Sequence, residues 1–522
     1  MVKNTMTKDQ RRGLDAVDAF KVKAPDEADT HYQHGVILQR FGRDEEALAA
    51  LNHALLIDDN HMMAHIRRIQ ILQRYNEHAE ILRSLDKLVT ADPNNASLHH
   101  ARGLALRKLD RGDEAIAAYA LAAAYDAENE SYHLDLAIML HGAKRYDEAI
   151  ESYNRVLALN PANAVAHGNR ASLLHKTGRY EEALIGYDQA IHHDPTFISH
   201  RLNRALLLLL MGRYDEGWRE YEWRLRRTSD DDAILVHYAR RFNQPAWSGD
   251  DLRGRTLLVH GEQGLGDVIQ MLRYVELLAD MGAKIVLEIP VVLHSLAQSL
   301  AGDISFVVRE GEYPPFDCHC PIMSLPLAFG TNLKSIPANI PYLRVAPEKI
   351  EEWKARLGRQ SRPRIGLVWS GGRQSNIDRW NNSDPTRSIA LSAMAPLLLN
   401  GETCAEFHSL QIEYRDADMK TMQRYGCIQD HSADLKDISD TAALIEQMDL
   451  VISVDTSVAH LAGALGKPVW IMLPHVPDWR WLLDREDSPW YPTARLFRQP
   501  SFGDWDSVIK SVIYAYKSRG PA

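Results

Sequence analysis

The chain has 522 residues, enough for about three domains at roughly 100–200 residues each. Hydrophobic residues at 45% and charged residues at 25% are ordinary for a globular protein and exclude a wholly disordered chain. Sixty basic against 70 acidic residues leave a net charge of −10, which offers no general attraction to nucleic acid or an anionic membrane.

Four cysteines (Cys318, Cys320, Cys404, Cys427) are too few for a disulfide scaffold and fit a reducing compartment. The first twenty residues lack the apolar run of a signal peptide. The longest apolar stretch, Ala205 to Met211, falls short of the ~20 residues that span a bilayer. The expectation is a soluble, cytoplasmic protein with no membrane span and no nucleic-acid partner. Residues 1–27 read as an N-terminal helix or flexible segment.

Residues 28–228 repeat with a period of 34. Pro93, Pro161 and Pro195 share one register, with Ala127 between the first two. Ala115, Ala149, Ala183 and Gly217 share a second, and Tyr119, Tyr153, Tyr187 and Tyr221 a third. A fourth runs through His31, His65, His99, His133 and His167 to Arg201. Small residues let helices approach closely, tyrosines fill the groove between neighbouring hairpins, and proline ends the second helix of each unit. The pattern is similar to the tetratricopeptide repeat (TPR), two antiparallel helices per unit, and about six units fit. The second, Arg67 to Val89, is irregular. Such repeats usually bind protein or peptide along a concave groove. Gln33, Asn169 and Asn203 share a register that should face it. They read either as acceptor-groove amides, as in the protein O-GlcNAc transferases that this array resembles, or as solvated surface residues; Arg67, Ala101 and Asp135 break the row. The periodic histidines cannot share a metal, because successive ones sit on helices at least 8–10 Å apart. They read as packing residues.

Residues 229–253 read as a linker. Its acidic triplet Asp230-Asp231-Asp232 follows no strand, so linker is preferred over a metal-binding turn. From Thr256 the pattern alternates short apolar strands (256–260, 284–289, 364–369, 405–410, 449–454, 468–473) with helices, notably Val268 to Met281 and Thr441 to Met448. This grammar builds parallel sheets covered on both faces. The proline-rich stretch Lys334 to Pro347 divides it into two Rossmann-like halves, 254–345 and 346–522. The fold class expected is an all-α TPR solenoid followed by an α/β module of the GT-B kind, whose ligands collect at the carboxyl ends of the strands.

The first strand runs into His260-Gly261-Glu262-Gln263-Gly264-Leu265-Gly266-Asp267. The spacing is neither GxGxxG nor a P-loop, so dinucleotide binding is not supported. Asp267 reads either as an N-cap or as a general base. In the second half, Ser453-Val454-Asp455-Thr456-Ser457-Val458-Ala459-His460-Leu461-Ala462-Gly463 resembles the donor-binding turn of heptosyltransferase-like family 9 glycosyltransferases, and Gly266-Asp267-Val268 resembles their catalytic turn. Pro477-Asp478-Trp479-Arg480-Trp481 and Ser488-Pro489-Trp490-Tyr491-Pro492 look like the TPR-fused subgroup.

The resemblance implies a metal-independent, inverting glycosyltransferase without cofactor, the nucleotide sugar being a co-substrate. Asp267 would be the catalytic base, on the acceptor side. Donor binding would fall to Gly264, Gly266, Ser370, Arg387, Gln411, Asp455, Thr456, Ser457, His460 and Trp479. Arg387 suits phosphate by bidentate pairing, and the helix start after Asp455 suits an anion. His460 reads equally as a packed core residue, and Trp479 as cleft wall. The segment Arg373 to Asp384 departs from the family, lacking the histidine expected between Ser370 and Arg387. Cys318-His319-Cys320 is a poor metal site, since strand alternation separates His319 from its neighbours; no metal is expected. The acceptor would be a protein held in the TPR groove, flagellin being one candidate, and the sugar N-acetylglucosamine-like, a heptose or a nonulosonate. The rival is a TPR scaffold whose glycosyltransferase-like half is inactive.

Overall fold

The computed structural model describes residues 26–226, 242–309, 311–371, 387–400 and 404–518. The acidic triplet 230–232, most of the N-terminal segment, Gly372 and the stretch 373–384 lie outside them. Helices come in pairs: α1 (Ala28–Arg40) and α2 (Asp44–Ile57), α3 (Met62–Arg74) and α4 (His78–Ala91), α5 (Ala96–Lys108) and α6 (Gly112–Tyr125). They continue as α7 (Glu130–Gly142) and α8 (Tyr146–Leu159), α9 (Ala164–Lys176) and α10 (Tyr180–His193), α11 (Ile198–Leu210) and α12 (Tyr214–Tyr221). The second pair, irregular in sequence, forms two regular helices, with Ile81 buried where other units carry alanine or glycine.

Local chemistry repeats with the same period. The turn inside each pair needs a left-handed residue, filled by Gly42, Asn76, Asp110, Lys144, Gly178 and Gly212 at φ between 55 and 77°. The second helix of most pairs starts beside a bidentate arginine–glutamate pair, such as Arg111 Nε to Glu114 Oε1 at 2.7 Å. The histidine register has a job beyond packing. Nε2 of His65, His99, His133 and His167 donates to the carbonyl six residues earlier (Asp59, Pro93, Ala127, Pro161) at 2.8–3.0 Å. Arg201 does the same to Pro195 through Nε at 3.0 Å. Each ring thus ties its helix to the turn before it.

The described chain falls into two compact units, one of residues up to Leu174 with Ile185–Asp194, the other of His175–Leu184 with everything from Pro195. The last helix pair, α11 and α12, therefore belongs to the same unit as the sheets. That unit contains β1 (Thr256–His260), α13 (Leu265–Met271), α14 (Arg273–Asp280), β2 (Lys284–Glu288), β3 (Ile304–Val307) and β4 (Cys318–Pro321). A second sheet follows: β5 (Arg364–Val368), β6 (Glu406–Ser409), β7 (Ile428–Gln429), β8 (Leu450–Val454), β9 (Val469–Leu473) and β10 (Ala494–Arg498), with helix α15 (Ser457–Ala464) between β8 and β9.

Both sheets are parallel, in the orders β3-β2-β1-β4 and β10-β9-β8-β5-β6-β7. All six expected strands form. The helix expected over 268–281 is two, broken at Leu272, and starts earlier, at Leu265. β3, β7 and β10 were not expected as separate strands, and β4 carries the Cys318–Cys320 segment read above as strand. The core of the second sheet gathers Ile365, Leu367, Phe407, Ile452 and Met472 against Val508 and Val512 of the last helix. Such near-continuous apolar strands are what a sheet covered on both faces requires.

Candidate functional site

Strand order locates the crevices. In the first sheet the chain leaves β1 toward β2 and β3, then returns to place β4 on the other side of β1. In the second it leaves β5 toward β6 and β7, then returns with β8 on the other side. Each reversal opens a gap at the carboxyl ends of the strands, where ligands of open α/β sheets bind. The first gap holds the 260–267 turn. The second holds Ser370 after β5 and Asp455 after β8.

Asp455 is the unusual group at the second gap. Its side chain is 6% exposed, and among the described residues Oδ2 has no hydrogen-bond partner. Arg387 Nη1 lies 3.7 Å from Oδ2, and His460 Nε2 lies 4.0 Å from Oδ1. Burial raises the carboxyl's pKa above the usual range, the nearby Asp478 adds to the rise, and Arg387 opposes it. Thr456 is the N-cap of α15, and its hydroxyl bonds Ser453 Oγ at 3.0 Å instead of closing the helix. The first-turn N–H groups of any α-helix lack intrahelical acceptors, so Ser457 opens a helix end suited to an anion. His460 is buried one turn on, bonded through Nδ1 to the Tyr491 hydroxyl at 2.9 Å and stacked on Trp481 at 5.3 Å. Burial, then Arg480, Arg273 and Arg387, push it well below the ordinary histidine value, so its ring is neutral.

The first gap meets the second directly. A Cβ on Gly266 would stand 2.8 Å from His460 Cδ2 and 3.5 Å from Ser457 Cα, so only glycine allows α13 to start against α15. Asp267 is not the N-cap; Gly264 is, and Asp267 at the third helical position accepts from the Gly264 N–H at 2.8 Å through Oδ2. Its Oδ1 pairs with Arg480 Nη2. Arg480 is held by Gln270 Oε1 (2.6 Å from Nε) and Asp478 Oδ1 (2.7 Å from Nη1), and lies 4.3 Å over the Trp479 ring. An acceptor hydroxyl would have to share a carboxylate oxygen with one of these donors.

The remaining expected residues spread further. Gln411 and Ser370 sit together, but the Gln411 amide is committed: Oε1 accepts from the Trp369 and Ser370 N–H groups at 2.7 and 3.0 Å, and Nε2 donates to Ser370 Oγ and Glu413 O. It pins the end of β5. Trp479 is 4% exposed, edge-on to Trp218 at 5.1 Å and to Trp490 at 5.9 Å, inside an aromatic cluster. Gln33 is exposed and Asn169 half-buried in the first unit, while half-buried Asn203 belongs to the second. Cys318 and Cys320 are buried on one face of β4, and His319 turns to the other, 3.3 Å from His260. Among the described residues no group of three or more His, Cys, Asp or Glu side chains could hold a metal, and no helix is long and apolar enough to cross a membrane.

Residues 436–471, which carry the Asp455–His460 turn, match the family model for glycosyltransferase family 9 (heptosyltransferase). Residues 100–164 and 140–203 match tetratricopeptide repeat models, and 34–130 match one for a bacterial transcriptional activator domain. The chain is 27% identical over 324 residues to Protein FlbA of Caulobacter vibrioides, an alignment covering 58% of this chain and 52% of that one. It thus spans about half the length of that relative. Among solved structures, YrrB, described as a TPR protein with an unusual peptide-binding site, is 20% identical with a TM-score of 0.32, covering 35% of this chain and 95% of its own. The pilF protein of Pseudomonas aeruginosa is 22% identical with a TM-score of 0.32, covering 40% and 96%. The chain thus carries TPR repeats and, further on, a segment similar to glycosyltransferase family 9.

Sequence reasoning missed the arginines of this region. Arg480, Arg273 and Arg224 are each buried: Arg273 donates to the carbonyls of Pro337 and Trp490, and Arg224 to Glu262. One signal was readable. Arg480 stands between two tryptophans and two residues after Asp478, an arrangement that can hold a guanidinium out of water by stacking and pairing.

Proposed function

We propose that this protein transfers a sugar from a nucleotide donor to a protein acceptor held by its TPR repeats, in the manner of a two-lobed GT-B enzyme. The observation that carries the reading is Asp455: a buried carboxylate with an orphan oxygen, beside Arg387, at a strand-order reversal and a helix start. A buried acceptor with no hydrogen bond of its own costs stability, and a sugar hydroxyl would satisfy it. Arg387 and the first N–H groups of α15 would take the donor phosphate, with the helix dipole contributing about 0.3–1 kcal/mol. Neutral His460, bonded to Tyr491 through Nδ1, walls the site and leaves Nε2, 4.0 Å from Asp455 Oδ1, as its one nitrogen able to donate toward a ligand.

Asp267 would remove the acceptor proton, inverting the anomeric centre without a metal, while the helix start and Arg387 take up charge on the leaving phosphate. Because both its oxygens are engaged at rest, the acceptor hydroxyl would share one of them with Arg480 or the Gly264 N–H, using a remaining lone pair. The same engagement favours the second reading, a scaffold whose glycosyltransferase-like half binds partners without turnover. In the enzyme reading the architecture parallels protein O-GlcNAc transferases, and flagellin is one acceptor candidate.

Incubation of the purified protein with cell extract and nucleotide sugars carrying N-acetylglucosamine, a heptose or a nonulosonate separates the two by intact-protein mass. A mass gain on an extract protein, abolished by Asp267→Asn with donor affinity kept, supports transfer. Undiminished gain in that variant refutes the base, and no gain with any donor supports the scaffold.

A further inference from the structure

The last helix of the repeat array faces the catalytic turn with one stripe of side chains. Tyr214, Trp218 and Tyr221 lie at spacings of four and three on α12, and Arg224 follows one turn on. In a repeat array this stripe would pack on the next hairpin; here it meets the loops that follow β1 and β9 instead. Trp218 stands edge-on to Trp479, the residue before Arg480. Tyr221 accepts from Gln263 Nε2, and Arg224 grips Glu262 at 3.0 and 2.7 Å through Nε and Nη2. One helix therefore touches both neighbourhoods of the Asp267–Arg480 pair.

The turn it touches is not held by its own bonds alone. Gln263 has φ +64°, a conformation that costs any residue other than glycine. It is kept there by its side-chain bond to Tyr221 and by the anchoring of Glu262, which also accepts from the Met323 N–H at 3.2 Å. Gly264, the N-cap that Asp267 closes, comes next in the chain. We propose that Tyr221 and Arg224 are positioning residues that set the 261–267 turn, so that the repeat array's final helix governs where the Asp267 carboxylate stands. The catalytic consequence rests on the transferase reading; the positioning itself does not.

The test uses the full chain with Tyr221→Phe, which removes one hydroxyl and keeps the ring packed on Trp218 and beneath the Arg224 guanidinium. Hydrogen exchange read by mass spectrometry should show amides of 261–268 exchanging about fivefold faster, with β8 unchanged. Adding Gln263→Gly should restore slow exchange, because glycine adopts the positive φ without the steric cost that the tether offsets. With a donor that the wild type turns over, among nucleotide sugars of N-acetylglucosamine, a heptose or a nonulosonate, kcat should fall about fivefold in Tyr221→Phe with donor KM unchanged, and recover in the double variant. Unchanged exchange at 261–268, or no recovery in the double variant, overturns the proposal. If the wild type turns over none of these donors, the transferase reading fails, while the exchange data still decide whether the helix holds the turn.

Discussion

Replacing Arg224 by alanine should cost about 3–5 kcal/mol in the unit that holds both sheets. The magnitude follows from what the change strands. Arg224 and Glu262 side chains are each 2% exposed, and the guanidinium also reaches Ser324 Oγ at 2.7 Å and Glu222 Oε1 at 2.6 Å. Without it, a buried carboxylate keeps, among the described residues, only the Met323 N–H, so most of the cost is an uncompensated charge rather than a lost attraction. Arg224→Met with Glu262→Leu removes both charges and should cost well under the sum of the single changes. Guanidinium unfolding followed by tryptophan fluorescence reads this directly, since Trp218, Trp479 and Trp490 pack beside the network. A loss below about 1 kcal/mol in Arg224→Ala, or strict additivity of the two single changes, would refute the reasoning.

Three further outcomes follow from the same geometry. Asp455→Asn should stabilise the protein at pH 7 and not at pH 3: a carboxyl raised by burial imposes its cost above its folded pKa, and that cost vanishes below the unfolded value. The same variant should weaken donor binding, and destabilisation at pH 7 in thermal melts would contradict the account. Gly266→Ala should drive α13 away from α15, because the His460 ring it would strike is fixed between Trp481 and Tyr491; nucleotide affinity at least tenfold weaker in calorimetry is expected, and wild-type affinity would refute it. His408 is pushed to about 4 by burial, then by His431 and Arg364, so its stabilising contribution is whole above about 6.5 and lost as pH falls through about 4. His408→Phe, which keeps the stack on His431, should flatten the stability–pH slope in that window by about one proton, and an unchanged slope would exclude this role.

Much of the fold was legible because it rests on periodicity. The 34-residue registers mark helix pairs, and apolar runs such as 256–260 and 449–454 mark buried parallel strands. β3 and β10 escaped for a physical reason: Ile304–Val307 and Ala494–Arg498 mix polar and apolar residues and carry no strong apolar run. The histidine register was visible, but its bond to a carbonyl six residues back is a fact of three-dimensional turn geometry. At the site, glycine spacing and the Asp-Thr-Ser helix start pointed to Gly266 and Asp455, since both carry local backbone signals. Gln411, Trp479 and Arg480 show the limit. Whether an amide reads a ligand or pins a strand, whether an indole walls a cleft or fills a core, and which carboxylate an arginine meets 213 residues away are set by packing alone.

The proposal is that Arg387 and the start of α15 receive a nucleotide phosphate, with Asp455 beside them for a sugar hydroxyl. Titration calorimetry of UDP, GDP, ADP and CMP into the full chain tests it most directly. The account predicts that at least one of them binds wild type and Asp267→Asn alike, and at least tenfold more weakly to Arg387→Ala, about the 1.4 kcal/mol expected of a charge-assisted phosphate contact. Binding of none of the four, or equal binding by Arg387→Ala, would contradict it.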